Sequence, residues 1–345
     1  MEKLYIRSDG NEKIGTGHIM RCLSIADAVR EAGGTCIFVV ADSKMEAVIR
    51  ANGFPMICLH SVWDNLDYET EKMEQLISSE KIRFLLVDSY FVTHDYLMRL
   101  HRLTQVGYID DLDQFTYPCS LLINYNLYAG QIDYLHRYPS QKLLLGPEYV
   151  PLRREFSHLP SRKVRTQVKD VLVTTGGSDS MNIAGELVRA AKQEPLLREI
   201  NFHIVAGRFH QYLPMLQNLV QTEPSVTLHH NVKCMSELMI GCDLAVSAGG
   251  STLYELCACG TPTICLAWAD NQLENVASFG RAGMYAVGDI RADWTQTMEK
   301  IVKAIIDLKS DQGQRQEQSN RLQKLVDGRG AARIAALLRD FPEIA

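Results

Sequence analysis

Short apolar segments alternate regularly with longer amphipathic segments along most of this sequence. Runs such as KLYIRSD, TCIFVVA and RFLLVDS are typical of strands, and the intervening HIMRCLSIADAVREAG is typical of a helix. Strands that alternate with helices pair in parallel, because each helix returns the chain to the same end of the sheet. The sequence therefore predicts an α/β protein built on parallel sheets.

The alternation weakens once, and this break predicts two domains. Residues 151–166 are rich in proline, arginine and other polar residues, as expected of a linker. We expect an N-terminal Rossmann-like domain at 1–150 and a C-terminal one at 167–328, with their sheets facing a central cleft. The tail at 329–345 predicts a helix that packs back on the N-terminal domain.

Charge and cysteine content narrow the class of protein. The chain carries 36 Lys and Arg against 41 Asp and Glu, a net charge of −5, so bulk electrostatics favour neither nucleic acid nor an anionic membrane as a partner. The nine cysteines include no CxxC pair, which indicates reduced thiols. The start lacks a signal-peptide pattern, and no apolar run is long enough to span a bilayer. We expect a cytoplasmic monomer that handles small molecules.

The loop after the first strand carries the leading catalytic candidate. In SDGNEKIGTGH, Gly15 and Gly17 allow a substrate to approach the backbone closely, and His18 begins the next helix. The positive end of the helix dipole disfavours a protonated imidazole, so we expect His18 to be neutral and able to act as a general base. Met20 stands where a third glycine belongs, which disfavours a dinucleotide cofactor. The alternative is a plain tight turn followed by a tolerated histidine.

Two glycine turns in the second half predict a phosphate site. The residues are Gly176 and Gly177 in the first turn, and Gly249, Gly250, Ser251 and Thr252 in the second. Bare backbone amides at the start of a helix bind anions, so the second turn is the better diphosphate candidate. Glu255 lies one helical turn further along the same face, where its carboxylate suits ribose hydroxyls. The alternative is that both are ordinary strand-to-helix turns and that Glu255 is solvated.

Other polar residues follow strands, at the sheet edge where open α/β proteins bind ligands. They are Asp88 and Tyr90, Asp110 and Asp111, Asn124 and Asn126, and Asn271 and Gln272. The side-chain amides of Asn271 and Gln272 suit sugar hydroxyl or acetamido groups. As alternatives, Asp88 and Asp110 cap local turns and Tyr90 is packing.

The sequence favours neither a metal nor a cofactor. His229 and His230 are adjacent in a strand, so their side chains point to opposite faces. Cys257 and Cys259 stand two apart in a helix and do not converge on one ion. We expect no required metal and no cofactor.

Taken together, the motifs resemble one family. They are IGTGHIMRCL at 14–23, VDSY at 87–90, YIDD at 108–111, LINYN at 122–126, PLRREF at 151–156, TTGGSD at 174–179, SAGGSTLYE at 247–255 and DNQLEN at 270–275. These segments are similar to the UDP-2,4-diacetamido-2,4,6-trideoxy-beta-L-altropyranose hydrolases of pseudaminic acid biosynthesis, of which similar sequences are labelled spore coat polysaccharide biosynthesis proteins. The glycine-rich half is more distantly similar to the lipid II-forming UDP-GlcNAc transferase.

The resemblance implies a GT-B architecture whose C-terminal domain holds UDP and whose N-terminal loop faces the sugar. The roles it implies are His18 as base, Tyr90 and Asn271 as substrate contacts, residues 249–252 for the diphosphate, Glu255 for ribose, and the backbone near Asn231 and Val232 for uracil. The implied reaction is metal-independent hydrolysis with inversion at the anomeric carbon. Two alternatives stay open: a GT-B glycosyltransferase of surface or spore coat polysaccharide synthesis, and a non-catalytic subunit that binds nucleotide sugars.

Overall fold

Two parallel sheets organise the chain. The computed structural model describes residues 3–177, 179–207, 210–230 and 232–341. Contacts divide these residues into a first unit, 3–153 with 329–341, and a second unit, Arg154–Gly328. Residues 154–166, which the sequence predicts as part of a linker, therefore lie within the second unit.

The first unit contains a single parallel sheet in its described residues. Its strands are Lys3–Ser8 (β1), Thr35–Val40 (β2), Met56–Cys58 (β3), Phe84–Asp88 (β4), Gln105–Ile109 (β5), Leu121–Asn124 (β6) and Lys142–Leu145 (β7). Its helices before residue 153 are Gly17–Glu31 (α1), Glu46–Ala51 (α2), Thr70–Glu80 (α3), His94–His101 (α4) and Tyr134–Arg137 (α5). The strand order is β3-β2-β1-β4-β5-β6-β7, with every pair parallel.

This order creates a switch point between β1 and β4. The chain builds outward from β1 to β3 and then returns to the other side of β1 with β4. The strand β4 (FLLVD) is buried along its whole length, as expected of a central parallel strand covered on both faces. Ligands of open α/β sheets bind at the carboxyl ends of the strands beside such a switch point. The loops that follow β1 and β4 are therefore the expected ligand-binding loops of this unit.

The second unit repeats the architecture with different strands. Its strands are Asp170–Thr174 (β8), Asn201–Ala206 (β9), Val226–His230 (β10), Leu244–Ala248 (β11), Thr263–Ala267 (β12) and Tyr285–Asp289 (β13). Its helices are Ile183–Gln193 (α6), Leu213–Thr222 (α7), Met235–Gly241 (α8), Thr252–Cys259 (α9), Leu273–Ala282 (α10), Trp294–Ser310 (α11) and Gln312–Leu325 (α12). The described strands pair in parallel in the order β10-β9-β8-β11-β12-β13, so the switch point lies between β8 and β11. The two glycine turns follow these two strands.

The last helix, Gly330–Arg339 (α13), belongs to the first unit. It packs along α1 and buries Ala331, Ile334, Ala335 and Leu338. This apolar face is short, since α13 has 10 residues. Across the described residues, no helix is both long enough and apolar enough to cross a membrane.

A histidine pair joins two strands of the second sheet. His203 Nδ1 lies 3.0 Å from His229 Nε2, and the other ring nitrogen of His203 lies 3.3 Å from the Asp170 carboxylate. Partial burial and the neighbouring His203 lower the pKa of His229 below its ordinary 6.5. The unfolded chain therefore binds this proton more tightly than the folded chain, and acid favours unfolding.

We expect the pair to make the second unit sensitive to acid. Between pH 7 and pH 5 the wild-type melting temperature should fall more steeply than that of His229→Gln, because the variant cannot take up this proton. Differential scanning calorimetry across the pH range measures both slopes. His136→Gln, at an exposed position, should keep the wild-type slope, and equal slopes for all three proteins would contradict the account.

Candidate functional site

The loop between β1 and α1 has free space beside its two glycines, Gly15 and Gly17. The Asn11 carboxamide oxygen accepts the backbone N–H groups of Lys13 and Ile14 at 2.8 and 3.1 Å, which closes a local turn. Gly15 follows with a φ of +75°, and Gly17 is the first residue of α1. A β-carbon at either glycine would have no neighbour within 4 Å among the described residues. The loop therefore leaves space beside the start of α1.

His18 is paired with a buried carboxylate. Its Nδ1 lies 2.7 Å from Asp88 Oδ1, although 70 residues separate the two in the chain. The pairing follows from the strand order, because β4 lies beside β1 and ends at Asp88. Asp88 is 1% exposed and His18 is 5% exposed. With Nδ1–H donated to the carboxylate, the lone pair of the ring resides on Nε2, which is the arrangement that a general base requires.

Arg21 ties this pair to the next strand. Its Nε donates to Asp88 Oδ2 at 2.7 Å, and its Nη1 lies 2.7 Å from Asp111 Oδ2, in the segment after β5. The same Nη1 donates to the hydroxyl of Tyr125, which follows β6. One arginine thus connects residues at the carboxyl ends of three neighbouring strands, β4, β5 and β6.

The pKa values follow from this charge pattern. Burial alone would raise the pKa of Asp88, but the Arg21 charge and the contact with His18 bring it well below its usual value. Burial, and then the nearby Asp111 carboxylate, raise the pKa of Tyr90 well above its usual value. Asp88 is therefore an anion at neutral pH, whereas the Tyr90 hydroxyl keeps its proton and can donate it in a hydrogen bond.

Two of the predicted substrate contacts in this unit have different surroundings. Both oxygens of Asp88 already accept hydrogen bonds from Arg21, so its placement favours orienting His18 over contacting a ligand. Tyr90 is half-buried, and its ring meets that of His18 edge-on, with centroids 4.4 Å apart and planes at 77°. Tyr90 therefore contacts His18 directly and remains a candidate for contact with substrate.

In the second unit, Asp179 shapes the first glycine turn. Its carboxylate accepts the backbone N–H groups of Ile183 and Ala184 at 2.8 and 3.0 Å, and thereby caps α6. It also accepts the hydroxyl of Thr175 at 2.8 Å, so both ends of the turn are fixed to one side chain. Burial alone would raise the pKa of Asp179, but the hydrogen bonds that it accepts lower it. The residue between Gly177 and Asp179 lies outside the described residues.

The second glycine turn is packed on one side and open on the other. A β-carbon on Gly249 would lie 2.6 Å from Val276 Cγ2 and 3.0 Å from the Gln272 carbonyl oxygen, so α10 approaches the bare backbone. The Asn275 amide donates to the Gly249 carbonyl at 3.3 Å and holds the turn against α10. At Gly250 a β-carbon would have no described neighbour within 4 Å. The turn therefore presents backbone to open space at the start of α9.

These two glycines make a matched test of packing. We expect Gly249→Ala to lower the free energy of unfolding by about 1 to 3 kcal/mol, the usual cost of overpacking a tight site. Gly250→Ala should leave it within about 0.5 kcal/mol of wild type, since the added methyl group meets nothing. Denaturant titration of both variants measures the difference. Equal stabilities would show that α10 does not press on the turn.

Ser251, Thr252 and Glu255 line the start of α9. Ser251 is exposed, Thr252 is the first residue of the helix, and Glu255 is half-buried one turn further on. The N–H groups of Gly249, Gly250, Leu253 and Tyr254 already donate to backbone carbonyl groups. Among the described residues of the turn, the N–H groups of Ser251 and Thr252 are therefore the ones available to an anion. The placement of these residues agrees with an anion site followed by a carboxylate.

The two predicted amide contacts, Asn271 and Gln272, differ in their exposure and in their hydrogen bonds. Asn271 is exposed in a 3-10 turn at Asp270–Gln272. Gln272 is buried, and its side-chain oxygen accepts the backbone N–H of Trp268 at 3.0 Å, so half of its amide holds the turn. Trp268 in turn donates its indole N–H to the carbonyl of Thr175 at 3.0 Å. The segment after β12 thereby braces the first glycine turn, and Asn271 is the better ligand candidate of the two.

The expected uracil contact lies at the far end of the sheet. Val232 is half-buried just after β10, whereas Asn231 lies outside the described residues. Three strand spacings of about 4.8 Å separate β10 from β11, so the two positions lie roughly 14 Å apart along the sheet edge. A ligand that contacts both must be extended. In the described chain, no group of three or more His, Cys, Asp or Glu side chains is arranged to hold a metal ion.

Arg21 is a member of this site that the sequence motifs do not single out. Its signal was present, because positions 18 and 21 are three apart and face the same side of a helix. Trp268 and Asn275 were missed for a different reason. Their contacts depend on how the segment after β12 folds against the glycine turns, which no local pattern reports.

A protein-family model matches most of the second unit. Residues 171–334 match the model of the glycosyltransferase family 28 C-terminal domain. The match begins in β8 and ends within α13, so it includes both glycine turns and Glu255.

Curated relatives confirm the resemblance that the motifs indicate. The chain is 24% identical over 349 residues to the spore coat polysaccharide biosynthesis protein SpsG of Bacillus subtilis, with 98% of each chain covered. It is 26% identical over 242 residues to the UDP-2,4-diacetamido-2,4,6-trideoxy-beta-L-altropyranose hydrolase of Campylobacter jejuni, covering 68% of this chain and 82% of that one.

Other relatives are longer proteins. The pseudaminic acid cytidylyltransferase and UDP-2,4-diacetamido-2,4,6-trideoxy-beta-L-altropyranose hydrolase of Helicobacter pylori is 28% identical over 209 residues, covering 59% of this chain and 37% of that one. The chain spans about half, 55%, of a relative from Methanocaldococcus jannaschii. The chain thus corresponds to only part of these two proteins.

Solved structures confirm the fold class. The structure of Acinetobacter baumannii MurG has a TM-score of 0.71 at 14% identity and covers 99% of this chain and 100% of its own. The pneumococcal O-GlcNAc transferase GtfA, solved with UDP and GlcNAc, has a TM-score of 0.68 at 10% identity, with 98% of each chain covered. The MnaA–UDP structure from S. aureus has a TM-score of 0.67 at 12% identity, covering 99% of this chain and 97% of that one. At such identities the likeness shows the fold alone, which is GT-B with two parallel α/β domains.

Proposed function

We propose that this chain is a nucleotide-sugar hydrolase that releases UDP from UDP-2,4-diacetamido-2,4,6-trideoxy-beta-L-altropyranose in pseudaminic acid biosynthesis. The observation that carries the proposal is the 2.7 Å contact between His18 Nδ1 and the buried Asp88 carboxylate at a switch point of the sheet. The names of the Campylobacter and Helicobacter relatives support the substrate. The family match over the second unit supports a nucleotide-sugar donor.

The proposed reaction begins with a water molecule. His18 Nε2 accepts a proton from the water as its oxygen forms a bond to the anomeric carbon. The bond between that carbon and the diphosphate oxygen breaks, and its electron pair leaves with UDP. Attack from the side opposite the leaving group inverts the configuration. Asp88 stays ionised throughout and stabilises the imidazolium that forms.

The leaving diphosphate is stabilised by the turn at 249–252. We assign this role to the backbone N–H groups of Ser251 and Thr252, because those of Gly249, Gly250, Leu253 and Tyr254 already donate to backbone carbonyl groups. The positive end of the helix dipole adds to their effect. A well-placed donor of this kind is worth about 3 to 4 kcal/mol in the transition state. This supports departure of UDP without a metal ion or cofactor.

The remaining contacts are assigned by chemistry. We assign the ribose hydroxyls to Glu255, the uracil edge to the backbone near Val232, and part of the diphosphate to the turn at Gly176 and Gly177. We assign the sugar to Tyr90 and Asn271, with Gly15 and Gly17 giving it room. Gln272 supports the loop through Trp268, and Asp88 orients the base. We also propose that the protein is a monomer and that it acts in the cytoplasm.

The oxygen of the attacking water tests the proposal. Incubation of the protein with this UDP-sugar in H₂¹⁸O should place the label on C1 of the released sugar and leave UDP unlabelled, as mass spectrometry measures. Label in UDP would mean attack at phosphorus and would contradict the mechanism. Intact donor that is consumed only when an acceptor is added would identify a glycosyltransferase instead.

A further inference from the structure

We propose that His210 is a positioning residue for the first glycine turn: by contacting Asp179 it keeps the turn in place for the diphosphate of the substrate. This role rests on the proposed function, which assigns part of the diphosphate to Gly176 and Gly177. It concerns the binding of UDP, so it can be measured without hydrolysis.

His210 is buried in the segment after β9. Its side chain is 0% exposed, like that of Asp179. The ring Nδ1 accepts the backbone N–H of Tyr212 at 3.3 Å, so the ring carries its proton on Nε2. Among the described residues, Nε2 has no hydrogen-bond partner. A buried donor without a hydrogen bond costs free energy, which raises the question of what Nε2 contacts.

The group beside Nε2 is the Asp179 carboxylate. Nε2 lies 3.5 Å from Asp179 Oδ2, within the range of an ionic contact. The same oxygen accepts the Thr175 hydroxyl at 2.8 Å and the Ala184 backbone N–H at 3.0 Å. Because both side chains are buried, solvent screens the attraction between the N–H and the carboxylate poorly. His210 thus adds a further donor to a carboxylate that already joins two segments.

Asp179 transmits this contact to the glycine turn. Thr175 comes directly before Gly176, and Ala184 lies in the first turn of α6, so the carboxylate joins the two ends of the turn. Between these ends Gly177 is exposed, and a β-carbon there would meet no described atom within 4 Å. The turn is therefore anchored at its ends and open to a ligand at Gly177.

Gly207 supports the turn from the same segment after β9. A β-carbon on Gly207 would lie 2.6 Å from both the Cα atom and the carbonyl oxygen of Gly177. These are backbone atoms, so they cannot yield to a side chain unless the turn itself moves. The segment therefore contacts the turn twice, through its backbone at Gly207 and through His210 at Asp179.

Two substitutions of His210 test the role of its Nε2 donor. The amide of asparagine lies near the position of Nδ1 and can accept the Tyr212 N–H, whereas the amide of glutamine reaches the position of Nε2 and can donate to Asp179. We expect His210→Asn to weaken UDP binding about three- to tenfold, the effect of losing one hydrogen-bonding contact. His210→Gln should bind UDP within about twofold of wild type. Titration calorimetry measures both affinities.

Uridine and a second histidine provide the controls. Uridine lacks the phosphates that the turn is assigned to bind, so its affinity for His210→Asn should stay within about twofold of wild type. Saturation-transfer NMR measures such weak binding. A variant that is partly unfolded would instead lose affinity for both ligands. His158 is exposed in the same unit, and His158→Asn should bind UDP as the wild type does.

Gly207→Ala tests the backbone contact. The added methyl group displaces the backbone of Gly177, so we expect UDP affinity to fall at least about tenfold while uridine affinity is retained. Gly241, the last residue of α8, is the matched control, because a β-carbon there would meet no described atom within 4 Å. Gly241→Ala should bind UDP within about twofold of wild type.

The outcomes separate this role from the proposed function. Unchanged UDP affinity in His210→Asn, or an equal loss of uridine affinity, overturns the role of His210. An equal loss in His210→Gln also overturns it, because the donor would then not be responsible. If His210→Asn does not fold, Gly207→Ala decides whether the segment after β9 positions the turn. A wild type that binds UDP but releases none from the UDP-sugar overturns the proposed function and leaves the role of His210 intact.

Discussion

Replacing His18 with asparagine is expected to lower the rate of UDP release by at least about 100-fold, because general bases contribute roughly 10²- to 10⁴-fold. Asparagine has no group that accepts a proton from water at neutral pH. The UDP contacts assigned here lie in the second unit, so affinity for UDP should stay within about twofold of wild type. A UDP-release assay and titration calorimetry with UDP measure the two effects.

The chain offers a matched control for His18. His94 is also the first-turn histidine of a helix in the first unit, the start of α4, and its side chain is 55% exposed. His94→Asn should keep wild-type activity. If His18→Asn retained more than about a hundredth of the activity, His18 would not be the base.

Replacing Asp88 with asparagine is expected to lower kcat by about 100-fold or more while leaving UDP affinity unchanged. An amide in this position must direct an N–H group at either His18 or Arg21, which both donate to the carboxylate in the wild type. The first arrangement selects the tautomer whose Nε2 carries a proton and cannot act as a base, and the second weakens the contact with Arg21. The loss cannot exceed that of removing the base itself, about 10⁴-fold.

The same variant has a stability effect with a defined pH dependence. Removing one charge from a buried pair costs about 3 to 5 kcal/mol at neutral pH. The depressed pKa of folded Asp88 means that its stabilisation is present above about pH 4, the unfolded value, and is lost as the pH falls further. The stability gap between wild type and Asp88→Asn should therefore narrow in acid. Asp95→Asn, at a side chain that is 94% exposed, should show neither effect, and a pH-independent gap would contradict this account.

Local patterns predicted most of the fold because strands and helices are local. The runs RFLLVDS and DLAVSAGG carry the continuous apolar character that buried parallel strands require, and both are central strands. The strand order is not local. Only the placement of β4 beside β1 shows that Asp88 meets His18, and a list of polar residues after strands does not contain that pairing.

The sequence predicts some residues of the candidate site and not others, because the contacts of a side chain also depend on tertiary structure. The chemistry of a side chain limits the hydrogen bonds that it can form. Its surroundings in the fold determine which of them are formed within the protein. Gln272 has the same amide as Asn271, but its oxygen is taken by the backbone N–H of Trp268. Arg21 was overlooked because a charged residue in a helix is usually solvated, whereas here two buried carboxylates hold it. The identity of the sugar came from family resemblance, since no pattern of hydrogen-bonding groups specifies it.

The central claim is that this chain hydrolyses a UDP-sugar with water as the only acceptor. A ³¹P and ¹H NMR time course of the purified protein with UDP-2,4-diacetamido-2,4,6-trideoxy-beta-L-altropyranose, without acceptor and with a chelator present, tests it most directly. We expect UDP to appear steadily together with the free sugar in the inverted configuration. An intact donor whose signals broaden in the presence of the protein would mean binding without hydrolysis and would contradict the claim.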